Sequence, residues 1–251
     1  MIVKTMGVIL KHRNLGESDR VFTIMSEDYG IIEAVANNVN RLKNNPNASI
    51  IQFGYYELEL YTGKERYFIK TVRLIEGFTN LYEDLSVVAL AGYFCELTLM
   101  LTVPAQNAKE YLRLLLNTFH FLHTQKKPPE LLKSIFELRT ISIGGFQPNL
   151  VGCAKCHIYE NENFRFYPIE ASLLCPECYN LLDNKKDKGI FVTLTMSTLI
   201  TLRHILYSEL EKLFSISMAD INLLNKITEQ YVLLQTGQEY NSLNMYNQFK
   251  K

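Results

Sequence analysis

The sequence predicts an α+β chain: a small five-stranded β barrel, followed by an all-helical domain with a four-cysteine segment set into it. Three observations carry this. Period-two alternation of apolar residues runs through the first 80 or so positions, apolar residues then recur every three or four positions, and two Cys-x-x-Cys pairs interrupt that series at about 150–182. The expected domains are therefore 1–80 and 81–251.

The barrel rests on five short runs rich in Val, Ile, Tyr, Phe and Thr: Gly7 to Arg13, Val21 to Met25, Ile31 to Val39, Tyr55 to Tyr61 and Tyr67 to Leu74. In "YYELELYTG", Tyr55, Glu57, Glu59 and Tyr61 oppose Tyr56, Leu58 and Leu60. Turn formers separate the runs: "NLGESD", "EDYG", "NNPN" and "TGKER". Five strands at this spacing suit a closed antiparallel barrel, of which the OB-fold is the common nucleic-acid-binding example; an SH3-like barrel fits almost as well.

After about Asn80 the period changes. Leu85, Val88, Ala89, Gly92, Cys95 and Leu99 form a helical stripe with Asp84 as N-cap, and Tyr111, Leu114, Leu115, Phe119 and Leu122 form a second with Asn107 as cap. A third helix begins at "PPELL" and ends at Gly144 and Gly145. Further helices are expected at about Thr195 to Glu209 and Ala219 to Leu234, the last stopped by Gly237.

Composition narrows the class. Apolar residues make up 47% and charged residues 21%, so a packed core is available and disorder is not indicated. The 26 Lys and Arg balance 26 Asp and Glu, so bulk charge neither announces nor excludes a nucleic-acid partner, and local patches decide. The N-terminus lacks a signal-peptide pattern, and Val87 to Val103 falls short of the roughly 18 unbroken apolar residues of a membrane span. The expectation is a cytoplasmic protein with no membrane partner.

Cys153 and Cys156 form one pair, Cys175 and Cys178 the other, with 18 residues between. Each turn aims two thiolates at one point, and two facing turns complete a tetrahedron. Four thiolates leave no position open for water, so the site reads as one structural zinc ion per chain, with Lys155 offsetting charge. A thioredoxin-like redox pair needs one pair at a helix start and fits poorly; an iron cluster is the other group that four cysteines hold. His157 reads as a loop residue and Cys95 as a core thiol.

No catalytic residues are expected. Phosphate-binding and nucleophile-elbow motifs are absent, the five histidines are scattered, and His120 and His123, one turn apart, lack a third ligand. Glu17 and Asp19 in "GESD" suit a turn better than acid–base chemistry.

Gly7 to Arg41, "GVILKHRNLGESDRVFTIMSEDYGIIEAVANNVNR", resembles the start of the bacterial recombination mediator RecO family: a strand, a Gly-Glu-x-Asp-basic turn at Gly16, Glu17, Asp19 and Arg20, and then "FTIMSEDYGIIEAVANNVN". The order of barrel, helices and cysteine pairs is similar too, as is the ending "QEYNSLNMYNQF", Gln238 to Phe249. The resemblance implies a non-enzymatic, nucleoid-associated repair protein that binds single- and double-stranded DNA, anneals strands, contacts the C-terminal tail of the single-stranded-DNA-binding protein, and with RecR helps load RecA onto DNA coated by that protein. Candidate DNA contacts are Lys11, Arg13, Arg20, Arg41, Lys43, Lys64 and Arg66 for phosphates and Tyr67 for stacking. Tyr55, Tyr61 and Tyr67 also read as core or cross-strand pairs. Arg113, Arg139 and Arg203, cations on otherwise apolar helices, are candidates for the tail pocket or for pairing with acidic core neighbours.

In this chain Asn37 and Asn38 stand where the family's basic loop has lysine and glycine, leaving Arg41 and Lys43. With zero net charge, this supports a second reading: an adaptor that contacts proteins and has weak DNA affinity.

Overall fold

In the computed structural model the described residues are 1–37, 39, 49–63, 66–102, 108–182, 189–216 and 220–250. The chain forms two compact units, Met1–Lys126 with Tyr240–Lys251, and Lys127–Glu239.

The first unit opens with five strands: β1 (Ile2–Leu15), β2 (Asp19–Ser26), β3 (Gly30–Ala36), β4 (Tyr55–Thr62) and β5 (Tyr67–Glu76). They close into a barrel in the order β1-β2-β3-β5-β4, with β3 and β5 parallel and the other pairs antiparallel. This is an OB-like topology. Alternation fills its interior: Phe22 and Ile24, Ile32 and Ala34, and Tyr56, Leu58 and Leu60 meet Ile9 and Ile69 in one buried cluster.

A bulge interrupts this alternation in β1. Ile9 pairs with Ile24, but the next pair is Lys11 with Thr23, so Leu10 is the extra residue. Were Leu10 paired with Thr23 in a regular ladder, Lys11 would share the inner face with Ile9; with the bulge, Lys11 and Arg13 turn outward, and His12 pairs with the core residue Phe22, ring centroids 5.9 Å apart.

Two helices follow, α1 (Leu85–Leu101) and α2 (Ala108–His123), and a C-terminal helix, α8 (Asn241–Phe249), returns to the same unit. Asp84 caps α1, its carboxylate accepting from the Ser86 N–H at 2.7 Å. The cap expected at Asn107 lies outside the described residues. The helix α8 packs on α1: Tyr240 meets Tyr93 edge-to-face, Ser242 donates to the Glu96 carboxylate from Oγ at 2.8 Å, and a Cβ on Gly92 would come within 3.0 Å of that Oγ.

The second unit pairs helices with a small sheet. Its helices are α3 (Pro129–Ile143), α4 (Pro176–Asn180), α5 (Met196–Tyr207), α6 (Leu210–Leu213) and α7 (Ile221–Thr236). Gly237 stops α7 with φ at 61°, a left-handed position that glycine adopts without strain. The cysteine segment carries β6 (Asn149–Cys153), β7 (Phe164–Tyr167), β8 (Ser172–Leu174) and β9 (Val192–Leu194), a four-stranded sheet in the order β6-β8-β7-β9.

Candidate metal centre and nucleic-acid surface

The sulfurs of Cys153, Cys156, Cys175 and Cys178 lie within 4.8 Å of one another, so the four cysteines are positioned to bind a metal. Local structure puts them there. Cys153 ends β6, and the turn after it is closed by the Cys153 N–H donating to the Ile158 carbonyl at 3.0 Å and the His157 N–H donating to the Cys153 carbonyl at 3.0 Å. Gly152 makes room: a Cβ there would meet the Ile158 carbonyl oxygen at 2.7 Å. Cys175 is the N-cap of α4, with Pro176 at the first helical position, and its sulfur accepts from the Cys178 N–H at 3.4 Å.

Three of the sulfurs are on buried residues and Cys156 is exposed. Burial opposes a thiolate at Cys153, but the backbone N–H groups of Cys156, Cys175 and Lys155 outweigh it and hold that thiol at about 6. Burial pushes the Cys175 thiol up. His157 is an exposed turn residue with φ at 62°.

Two of the three expected cations on apolar helices, Arg139 and Arg203, serve the backbone. Arg139 donates from Nη1 to the Leu206 carbonyl at 2.6 Å, and Arg203 donates to the carbonyls of Leu150, Val151 and Tyr159 at 2.7–2.8 Å. The sequence singles out Arg203 only as a cation on an apolar helix, whereas the fold places it beside the first cysteine turn. Of the histidine pair, His123 accepts from the Asn80 N–H through Nδ1 at 3.3 Å.

On the barrel, Lys11 and Arg13 stand on the outer side of β1, and Arg13 is 3.5 Å from Glu33, an exposed pair. Arg20, on β2, pairs with Asn14 and Ala36, and burial together with the Arg20 charge keeps His12 below its ordinary pKa. Arg66 is exposed in the β4–β5 turn, its carbonyl accepting from Gly63 at 2.8 Å. Tyr67 packs against the barrel core, with its ring 6.2 Å from that of Tyr29. Tyr61, 52% accessible and in register with Ile2 and Phe68, is more exposed than Tyr29 at 37%. Alternation in "YYELELYTG" already carries that signal. Arg41, Lys43 and Lys64 lie outside the described residues, as does Asn38.

The outer face of β4 and β5 is charge-matched. Arg73 sits 2.6 Å from Glu57 and Lys70 3.5 Å from Glu59. A hydrogen bond from Thr71 and the nearby lysines hold the Glu59 carboxyl below its usual range.

No helix among the described residues is long and apolar enough to cross a membrane. Residues 1–78 match the family model "Recombination protein O N terminal" and residues 82–244 match "Recombination protein O C terminal". Relatives named DNA repair protein RecO include those of Acetivibrio thermocellus, 28% identical over 96% of this chain and 94% of that protein, and Alkaliphilus metalliredigens, 26% identical over 97% and 98%. A third, from Symbiobacterium thermophilum, is 31% identical over 68% of this chain and 69% of its own. The two family models together span barrel, helices and cysteine sheet, and the chain belongs to the recombination protein O family.

Proposed function

We propose that this is a DNA repair protein that works as a non-enzymatic recombination mediator: it binds single- and double-stranded DNA through the barrel, anneals complementary strands and, with RecR, helps load RecA onto DNA coated by the single-stranded-DNA-binding protein. Membership of the recombination protein O family carries this reading. The bulge at Leu10 supports its DNA-binding part, because it turns Lys11 and Arg13 out of the barrel, where a phosphate backbone can reach them. The other candidate contacts are Arg20, Arg66, Arg41, Lys43, Lys64 and Tyr67, with Tyr61 the exposed ring available for stacking.

For the cysteine cluster the reading is one structural zinc ion. A tetrahedron with Zn–S bonds of about 2.3 Å has edges of about 3.8 Å. Cys156 Sγ and Cys175 Sγ are 3.7 Å apart. Four thiolates close the coordination sphere, so zinc bound there would organise the turns rather than activate water.

The deciding experiment is strand annealing on DNA coated by the single-stranded-DNA-binding protein, with and without RecR. A mediator anneals and responds to RecR. A protein that binds RecR or the tail peptide but does not anneal is the adaptor, a reading favoured by the carboxylates that match Arg13, Lys70 and Arg73.

A further inference from the structure

The four cysteines come from two pieces of chain that are held differently. Cys178 lies within α4 and Cys175 caps it, whereas Cys153 and Cys156 sit on a turn with no helix of its own. That turn is entered through Leu150 and Val151 and left through Tyr159, and all three carbonyls accept from one side chain on α5. Arg203 Nε donates to Leu150 at 2.7 Å, and Nη2 donates to Val151 and to Tyr159, both at 2.8 Å. The guanidinium also lies over the Tyr159 ring, 4.1 Å from its centroid. Arg203 is only 9% accessible.

Charge-assisted donors of this kind are roughly twice as strong as neutral ones, and burial spares these from screening. The planar fork matters as much as the charge. A lysine ammonium is one point at the end of a flexible stem, and cannot hold two segments of chain at fixed separation and stack on a ring at once. The clamp closes around the first cysteine turn from a helix that supplies no ligand.

We propose that Arg203 is the positioning residue of the metal centre: its guanidinium sets the Cys153–Cys156 turn in ligating geometry before the metal arrives, so that metal affinity is tuned from α5. This rests on the reading of the cysteine cluster as a zinc site. Residues that hold ligands in place without touching the metal typically contribute about 10- to 100-fold in affinity.

The test measures zinc affinity of the full chain by competition with a chromophoric chelator, and tetrahedral geometry by the absorption of the cobalt-substituted protein. Three variants are compared with wild type: Arg203→Gln, Arg203→Lys, and Arg139→Gln, which removes guanidinium-to-carbonyl bonds in the same unit but away from the turn. Expected are a 10- to 100-fold loss for Arg203→Gln, a smaller loss with altered cobalt bands for Arg203→Lys, and wild-type affinity for Arg139→Gln. If Arg203→Gln does not fold, Arg203→Lys carries the test through its cobalt spectrum. Wild-type affinity and spectrum in the Arg203 variants, or an equal loss in Arg139→Gln, would overturn the proposal. A wild-type chain that binds no zinc would instead sink the zinc reading itself.

Discussion

Lys133 Nζ lies 2.9 Å from the Glu137 carboxylate, with both side chains at 1% exposure or less. Glu229 on α7 approaches the same ammonium at 2.8 Å, and Thr228 donates to Glu137 at 2.6 Å, so a buried charged network joins α3 to α7. Such networks are weak evidence for stability but are costly to break, because removing one partner strands a buried charge. Lys133→Ala is expected to destabilise the protein by about 3–5 kcal/mol. Lys133→Met with Glu137→Leu should recover much of that loss. Chemical denaturation followed by circular dichroism distinguishes the two.

The same network fixes a pH dependence. Burial alone would lower the Lys133 pKa, but Glu137 and Glu229 outweigh it and raise it above the ordinary value. A group whose folded pKa is raised contributes stability that is fully present below its unfolded pKa, about 10.4 for lysine, and is lost as pH rises through the folded value. Wild type should therefore keep this contribution from neutral pH to about 10. The apolar double variant should show a flatter alkaline limb, and an identical limb would contradict the network's role.

Where one face of a strand is buried the alternation is readable: it marks β4 to within one residue, Tyr55 to Thr62 against an expected Tyr55 to Tyr61, whereas β2 is buried on both faces and shows as an apolar run. The cysteine cluster was readable because two Cys-x-x-Cys pairs at this spacing are suited to meet at one point, as the four sulfurs do. The sheet around it was not, since β8 and β9 have three residues each, too few to show a period. The return of α8 to α1 and the clamp of Arg203 depend on contacts between residues dozens to hundreds of positions apart, which no local pattern records. The bulge at Leu10 hid for a related reason: "GVILKHR" reads as a plain strand, and only the pairing with β2 exposes the extra residue.

Lys11 and Arg13 give the barrel reading a sharp test. Charge reversal of both, Lys11→Glu with Arg13→Glu, should weaken single-stranded DNA binding about equally across sequences. If each contacts one phosphate, the slope of log K against log salt should fall by about 1.4. Glu33→Gln, which frees Arg13 from an exposed pair worth no more than about 1 kcal/mol, should strengthen binding a few-fold at most.

The C-terminal helix supplies a test of how the first unit is built. Tyr240, Leu243 and Tyr246 are buried, and Tyr93 on α1 is fully buried in the same unit. Ending the chain after Gly237 should expose that face of α1 and lower thermal stability by several kcal/mol, given about 3–5 kcal/mol for truncating one large core side chain to alanine. Gly92→Ala is milder: its new Cβ comes within 3.0 Å of Ser242 Oγ and 3.4 Å of Ser242 Cβ, so α8 must shift slightly.

Metal removal tests whether the two units divide the proposed functions. The cysteines lie in Lys127–Glu239, while the candidate DNA contacts lie in Met1–Lys126. Metal bound only by the folded state adds its binding energy to folding. Cys153→Ser removes one of four thiolates and leaves three without a tetrahedron. Metal analysis of wild type should give about one zinc per chain, and the variant should hold less. The variant's thermal midpoint should fall clearly, while its folded fraction at low temperature binds single-stranded DNA with nearly wild-type affinity and salt slope. Loss of DNA binding by protein that is still folded would place the cysteine segment in the DNA surface, and unchanged zinc content would show that Cys153 is not a ligand.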